Sequence, residues 1–167
     1  VGGNSTAAPA TFINEGGIFS GGQGGLTSIG ANATGGEAVC TADGGRVSGA
    51  LGGLVVIGNT ATAGNATLIA DGAVNGAAGG VVSFVGFSTG GTARVEVFAN
   101  GSLELESLTL GLTIGSLEGD GAVSMGTVDL TVGSNDLSTL FSGIIRTAGD
   151  SGALTKIGSC MLTLSGA

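Results

Sequence analysis

An internal repeat constrains the fold of this chain more than any other feature. The segment that begins at Gly24 (GGLTSIGANATGGEAVCTADGG) recurs at Gly52, and a third copy begins at Gly79. Among other positions, the repeat aligns Ile29 with Ile57 and Phe84, Thr34 with Thr62 and Thr89, and Leu68 with Val95. The period falls within the range of roughly 20 to 50 residues that is typical of solenoids, propellers and arrays. Because helix-period segments are absent, we expect a solenoid in which each copy forms about one coil.

The composition narrows the kind of solenoid. The chain has 37 glycines among 167 residues and one proline, yet 42% of its residues are hydrophobic, which argues against a disordered chain. Glycine does not recur at every third position, so a collagen helix is excluded. Only 4% of the residues are aromatic, so we expect a narrow core of stacked small aliphatic side chains.

Stretches in which every second residue is apolar indicate strands with one buried face. Such pairs are Val95 and Val97, Leu103 and Leu105, Leu130 and Val132, and Leu162 and Leu164. Asp-Gly and Gly-Gly pairs between them supply tight corners. The sequence therefore predicts an all-β fold, a right-handed parallel β-helix (β-solenoid), over residues 21–167. Residues 1–20 show little of the repeat and are predicted to form an irregular N-terminal cap or docking segment.

The charge balance is acidic, with 12 Asp and Glu against 4 Lys and Arg, and the net charge is −8. Nucleic-acid binding requires a basic surface, so no nucleic-acid partner is expected. No apolar run reaches the roughly 20 residues needed to cross a bilayer, so we expect no membrane insertion by this segment. No secretory signal opens the chain at Val1, which indicates a mature or excised piece of a longer protein.

The chain has two cysteines, Cys40 and Cys160, which are far apart in the sequence. Coils of a solenoid rise about 4.8 Å each, and a disulfide needs Cα atoms within about 7 Å. An intrachain bond therefore requires the chain to double back; buried free thiols and a bond between subunits are the alternatives. By alternation, Cys40 shares a face with Ala38. Because the chain has no histidine and no C-x-x-C motif, we expect no metal and no cofactor.

The catalytic inventory is small. Without histidine, neither a Ser-His-Asp nor a Cys-His system can be built, and no catalytic residues are expected. Carboxylates are the remaining acid–base groups: Glu104 and Glu106 lie two apart on a predicted strand, hence on one face, and Glu118 and Asp120 flank a predicted turn at Gly119. A polysaccharide-active enzyme would use these groups, but the chain has no Trp, Tyr or His to line a sugar site.

The last part of the chain carries a distinctive motif, SGALTKIGSCMLTLSGA, at Ser151–Ala167. It resembles the passenger-associated transport repeat of bacterial autotransporters (the autotransporter-associated β-strand repeat), whose pattern is roughly G-x-L-T-K-x-G-x-G-T-L-T-L-S-G-A. The matching residues are Leu154, Thr155, Lys156, Gly158, Leu162, Thr163, Leu164, Ser165, Gly166 and Ala167. Cys160 and Met161 stand where the family has Gly and Thr. The upstream segments Ser116–Ile145, Asn59–Leu68 and Ser88–Val97 also look like parts of such proteins.

The resemblance implies a β-helical stalk that is secreted or held at the cell surface, outside the outer membrane. We therefore expect an extracellular structural stalk or fibre segment, not an enzyme. End-to-end self-association is expected because the last coil shows no polar cap. The alternative is an adhesin passenger fragment that binds surface glycans or matrix, for which Ser107–Leu117 is the candidate loop insertion. Lys156, the only lysine, is expected to be a solvated charge at a strand edge.

Overall fold

The structure is a computed structural model that describes residues 1–7, 9–149 and 151–166. Every regular element among these residues is a β-strand of three or four residues, and the described part of the chain contains no helix. The strands are β1 Thr11–Asn14, β2 Leu26–Ile29, β3 Val39–Ala42, β4 Leu54–Ile57, β5 Thr67–Ala70, β6 Val81–Phe84, β7 Arg94–Val97, β8 Ser102–Glu104, β9 Leu112–Ile114, β10 Ser116–Gly119, β11 Ala122–Ser124, β12 Leu130–Val132, β13 Thr139–Phe141, β14 Ile144–Arg146, β15 Leu154–Lys156 and β16 Leu162–Leu164.

The strands pair in parallel and form three sheets, numbered I to III here. Sheet I has the order β1-β3-β5-β7-β10-β13-β16, sheet II the order β2-β4-β6-β8-β11-β14, and sheet III the order β9-β12-β15. Consecutive strands of the chain belong to different sheets, so each circuit returns to sheet I one layer further along the axis. The chain is therefore a parallel β-solenoid of about six coils, and the all-β solenoid predicted from the repeat is confirmed.

The strand register reproduces the sequence repeat residue by residue. Ile29 pairs with Ile57, and Ile57 pairs with Phe84, in sheet II. Leu68 pairs with Val95 in sheet I. The alignment read from the sequence is thus the physical stacking of one coil on the next.

The third side of the first coils carries isolated parallel bridges instead of strands. These bridges join Thr6, Thr34, Thr62 and Thr89 in succession. Sheet III begins beside the last of these bridges. A Cβ added to Gly90, the residue after Thr89, would lie 2.3 Å from the carbonyl oxygen of Thr113 in β9. The solenoid therefore has two continuous sheets along its length and a third that becomes regular only in the later coils.

The coils become shorter after the third, as the register partners along sheet II show. Leu54 pairs with Val81, whereas Val81 pairs with Ser102 and Ser102 with Ala122, so fewer residues complete each later circuit. The difference lies in the connection from sheet I to sheet II. This connection is long at residues 15–25, 43–53 and 71–80 and short at residues 98–101. The long connections stack by backbone hydrogen bonds, such as Arg46 N–H to Gly17 O at 2.9 Å.

The loop insertion predicted at Ser107–Leu117 is wrong. These residues contain β9 and the start of β10, and the side chains of Leu108, Leu112 and Ile114 are buried. The repeat is unclear there because the coil shortens and the third side becomes a strand, not because a loop leaves the stack.

The described residues among 1–20 belong to the first coil of the solenoid, and part of them is regular. β1 pairs with β3 over four residues, and Thr6 bridges Thr34. Two polar side chains, Asn14 of β1 and Thr27 of β2, occupy core positions in the first coil. Thr27 Oγ1 donates to Asn14 Oδ1 at 2.8 Å, and Asn14 Nδ2 donates to Thr41 O at 3.0 Å. A polar pair thus stands at this end of the stack where the later coils have apolar side chains. The pair can be buried because its polar atoms are hydrogen-bonded.

The core consists of inward columns of small aliphatic side chains, as the composition predicts. One column of sheet II contains Thr27, Val55, Val82, Leu103, Val123 and Ile145. The two large buried aromatic side chains each have a place in this pattern. Phe84 pairs in register with Ile57, and the Phe141 ring lies beside Gly143, where an added Cβ would be 2.8 Å from Phe141 Cζ.

A ladder of glycines marks the tight corner at which each coil enters sheet II. A Cβ added to Gly53 would lie 1.9 Å from Asn14 O, and one added to Gly80 would lie 1.8 Å from Ala42 O. The backbone of one coil thus approaches the backbone of the coil below too closely for any side chain. This contact explains the Gly-Gly pairs that begin the repeats in the sequence.

One buried hydroxyl in the core leads to a stability prediction. Ser88 is 2% exposed and its Oγ has no hydrogen-bond partner among the described residues, whereas the repeat places the fully buried Ala33 and Ala61 at the equivalent positions. An unsatisfied buried hydroxyl costs about 1 to 3 kcal/mol, so the Ser88→Ala variant is expected to raise the free energy of unfolding by about 1 kcal/mol or more. Urea denaturation followed by circular dichroism measures this change. The exposed Ser28→Ala is the control, and a Ser88→Ala midpoint at or below wild type would contradict the prediction.

Candidate functional site

Cys40 lies in the core of sheet I. It is fully buried on β3, between its register partners Phe12 and Leu68, and shares the buried face with Ala38 as predicted. Burial raises the pKa of its thiol to about 11, and the thiolate is the reactive form of cysteine. The folded chain therefore uses Cys40 as a small apolar side chain and leaves it inaccessible to another subunit.

Cys160 lies in the turn before β16 and is partly exposed; both cysteines are free thiols. We therefore expect one thiol per folded chain to react with dithionitrobenzoate at neutral pH, and two thiols after denaturation in urea. The absorbance of the released thiolate counts the reacting groups. The Cys160→Ser variant should show no reaction while folded, and two fast-reacting thiols in the folded wild type would contradict the buried position of Cys40.

The carboxylates of Glu104 and Glu106 are both exposed on the outer side of sheet II. Glu104 ends β8, and Glu106 follows it beyond the strand, after the buried Leu105. Ser102 Oγ donates to Glu104 Oε1 at 3.3 Å, and Ser124 Oγ donates to Glu106 Oε1 at 2.5 Å. Each carboxylate thus accepts a hydrogen bond from a serine on the surface of the solenoid.

Glu118 lies on a strand, not in the turn that the sequence predicted. It is part of β10 and pairs directly with Glu96 of β7. Two carboxylates opposite each other on adjacent strands repel, and Arg94 lies between them to offset this repulsion. The Arg94 Nε forms an ion pair with Glu96 Oε1 at 2.9 Å and donates a hydrogen bond to Glu118 Oε1.

The pKa values of this three-residue cluster reflect its geometry. The hydrogen bond to Glu118 raises the pKa of Arg94, which burial opposes and the charges of both glutamates reinforce. Burial raises the pKa of Glu96; the Arg94 guanidinium opposes this change, while the carboxylates of Glu118 and Asp71 add to it. The cluster lies on the outer face where a long coil meets the first short one, and it joins β7 to β10.

Asp120 is separate from this cluster. Its Oδ1 accepts the backbone N–H of Ala99 at 2.7 Å, across the corner between sheets I and II. The predicted pair of Glu118 and Asp120 is therefore divided between an ion cluster and a corner hydrogen bond. Both carboxylates have partners that account for their positions in the stack.

A second acidic group lies beside the long connections, in an open cavity of about 580 Å³. Asp43 and Asp71 line it, and Arg46 at its edge pairs with Glu15 at 3.3 Å. Burial raises the pKa of Asp71, and the neighbouring charge of Asp43 raises it further. Among residues 1–7, 9–149 and 151–166, no three His, Cys, Asp or Glu side chains are grouped to bind a metal.

The motif at Ser151–Gly166 forms the last described coil; Ala167 lies outside the described residues. β15 contains Leu154, Thr155 and Lys156, and β16 contains Leu162, Thr163 and Leu164. Leu154 and Leu162 are partly buried against the core, and the Ser165 N–H donates to Phe141 O at 3.0 Å.

The glycines of the motif are required by the backbone. Gly158 has a φ of +72°, and a Cβ on Gly166 would lie 2.0 Å from Gly143 O. Gly166 therefore continues the same corner ladder that contains Gly53 and Gly80. The leucines Leu154 and Leu162 and the glycines Gly158 and Gly166 of the motif therefore contribute to the packing and the turns of this coil.

Lys156 is exposed, as expected for a solvated charge, but its position is unusual. It pairs in register with Val132, which faces the core in the coil below. Its ammonium donates to the carbonyl oxygen of Ile157 and, at 3.4 Å, to that of Gly158. The pKa of Asp136 nearby is lowered, chiefly by hydrogen bonds from Ser159 and additionally by the charge of Lys156.

Sequence reasoning missed the three stacked long connections. Their tips carry apolar side chains with large exposure: Ile18 and Phe19 at 65% each and Val74 at 57%. The signal in the sequence that could have revealed them is the change in repeat length. Val81 stacks on Leu54 and Ser102 stacks on Val81, but fewer residues separate the second pair because its connection is shorter.

The fold and the candidate groups define a parallel β-solenoid with exposed acidic outer faces. In the part of the chain that the structure describes, no helix of sufficient length and hydrophobicity to span a bilayer is present. Comparison of the chain with protein-family models, with curated proteins and with solved structures gives no match. The similarity to autotransporter repeats therefore stays a prediction from the motif.

Proposed function

We propose that this chain is a segment of an extracellular stalk or fibre of a bacterial surface protein, located outside the outer membrane, with an architectural role. The observation that carries the proposal is the parallel ladder that continues from β1 to β16 in sheet I. Such a ladder extends a rod by about 4.8 Å for each coil. The resemblance of Ser151–Ala167 to the transport repeat supports the location, and the net charge of −8 favours solubility outside the cell.

The finer part of the proposal is end-to-end association of copies. Within the described residues, β14, β15 and β16 are the last strands of their sheets and have one free edge each. Leu164 and Ile144 are 53% and 43% exposed there, beside a cavity of about 240 Å³ that Phe141 also lines. A free strand edge with apolar neighbours is a surface to which a further strand adds. In this proposal, the first layer of a second copy provides that strand.

Negative-stain electron microscopy of the purified chain tests the proposal. We expect filaments with a regular axial repeat in the wild type and their loss in Leu164→Asp, because a charge would then occupy the joint. Leu140→Asp is a matched control, since Leu140 is also 53% exposed but lies on the outer face of β13. Filaments that disappear in reductant would assign the joint to Cys160. Dispersed short rods in the wild type at all concentrations would contradict end-to-end association.

One observation favours an adhesin that binds surface glycans or matrix as a second candidate. The stacked long connections project Ile18, Phe19 and Val74 from the side of the solenoid, where they contact little of the core. Exposed apolar side chains on projecting connections are common at interaction sites. Binding to a glycan or matrix array that is lost in the Ile18→Ser, Phe19→Ser double variant would favour this function over the stalk alone.

A further inference from the structure

An axial groove on the outside of the first three coils has an unusually uniform lining. One wall is the column Leu26, Leu54 and Val81, which are register partners on sheet II. The other wall contains Gln23, Leu51 and Ala78, which belong to the stacked long connections. The groove has a volume of about 380 Å³, within the range of small-ligand sites.

The floor of this groove consists of glycine backbone. Gly24 and Gly25 lie between the walls in the first coil, Gly52 and Gly53 in the second, and Gly79 in the third. A Cβ on Gly52 would lie 2.0 Å from Gly79 O, so the stacking of the coils itself keeps side chains out of the floor. The floor of the groove is therefore a fixed consequence of the corner ladder and does not depend on side-chain rotamers.

Apart from Gln23, the side chains of the walls are aliphatic, and all of them are at least partly exposed. Leu26 is 64% exposed and Leu51 is 43% exposed, although both could have been polar without loss to the core. The groove follows the axis, and three coils at about 4.8 Å spacing give it a length of about 10 Å between the first and third wall residues. Its shape fits a single unbranched chain better than a ring.

The chemistry of the lining indicates which kinds of ligand the groove can bind. None of the eleven lining residues is ionisable, and none is aromatic. A sugar ring would lack an aromatic platform, and a carboxylate or sulfate would lack a cation, in a chain whose net charge is −8. A stable protein partner needs about 20 to 30 residues from each side, so this lining is too small for a second copy or another folded protein.

We propose that this groove binds the aliphatic chain of a single-chain amphiphile whose headgroup is uncharged or zwitterionic. The chain lies along the axis between the two aliphatic walls, over the glycine floor, and the headgroup remains in solvent. Burial of each methylene strengthens binding, so affinity rises with chain length until the groove is filled. This site is independent of the proposed stalk function, because it lies on the side of the solenoid and leaves the end strands free.

Dodecylphosphocholine, used below its critical micelle concentration, is the probe for this site. In a titration followed by the amide resonances of the ¹⁵N-labelled chain, we expect saturable shifts at Gly52, Gly53 and their neighbours in the first three coils. Phosphocholine alone, without the alkyl chain, should cause no shifts. Equal effects of the two compounds would overturn the proposal, since the headgroup would then be what binds.

Two variants distinguish binding of the probe in the groove from non-specific binding to the protein surface. Leu51→Asp is expected to weaken binding at least tenfold, because the alkyl chain would lie against a charge. Leu140→Asp introduces the same charge on the outer face of sheet I and should leave binding unchanged. Leu51 is exposed, so its replacement is compatible with folding, which circular dichroism verifies. Equal affinities of the two variants would overturn the proposal, as would a ligand-free dimer in sedimentation equilibrium that Leu51→Asp abolishes, since a second copy would then occupy the groove.

Discussion

The Phe84→Ala variant is expected to lower the free energy of unfolding by about 3 to 5 kcal/mol. Phe84 is fully buried in the middle of the stack, on the register column that contains Ile57. Alanine would leave a cavity between coils whose spacing is fixed by the backbone ladder, so the neighbouring layers have little freedom to collapse into it. The midpoint of urea denaturation, followed by far-ultraviolet circular dichroism, measures the loss.

The chain provides a matched control three residues away. Phe87 is 56% exposed, so Phe87→Ala removes the same side chain without creating a cavity, and we expect a change within about 0.5 kcal/mol. Similar losses in Phe84→Ala and Phe87→Ala would contradict the placement of Phe84 in the core.

The Gly80→Ala variant is expected to lose about 3 kcal/mol. Its added Cβ would lie 1.8 Å from the carbonyl oxygen of Ala42, and both the corner and the strand below would have to separate to remove the overlap. Because the same contact recurs along the ladder, the corner cannot open at one coil without disturbing its neighbours. The urea midpoint of the variant measures this cost.

Gly30→Ala distinguishes the contact from the general effect of removing a glycine. At Gly30 the nearest atom to an added Cβ is Asn59 Nδ2 at 3.6 Å, an ordinary van der Waals distance. We expect Gly30→Ala to be neutral or slightly stabilising, since alanine restricts the unfolded chain. A Gly80→Ala variant as stable as Gly30→Ala would show that the corner is less tight than the structure indicates.

The first coils could be predicted closely from the sequence because their repeats carry their own register. A single constant offset aligned Ile29 with Ile57, and these residues pair in the structure. Alternation placed Cys40 on the same face as Ala38, because neighbouring strand residues point to opposite faces, and the structure shows that this face is the core. The later coils were harder: the connection shortens after Gly80, so a constant offset no longer identifies which residues stack.

The change in coil length also explains why the charged cluster was missed. Arg94 and Glu118 lie at a separation that corresponds to no offset of the first repeats, and they meet only because β7 pairs with β10 in a shorter coil. Glu118 was assigned to a turn because Gly119 follows it, yet Gly119 ends a strand with a φ of +108°. The architectural role and the location outside the cell remain predictions, since stacking geometry alone does not specify them.

The direction of the hydrogen bonds has a mechanical consequence. Strands of a solenoid run across its axis, so the bonds between coils lie along the axis. Tension applied to the two ends therefore acts on one layer of bonds at a time, and the chain peels coil by coil instead of resisting in shear. One of the long first coils, once released, lengthens the chain by about 90 Å, and one of the shorter later coils by about 65 Å. A single such molecule would extend under load in two step sizes, with the longer steps coming from its first coils.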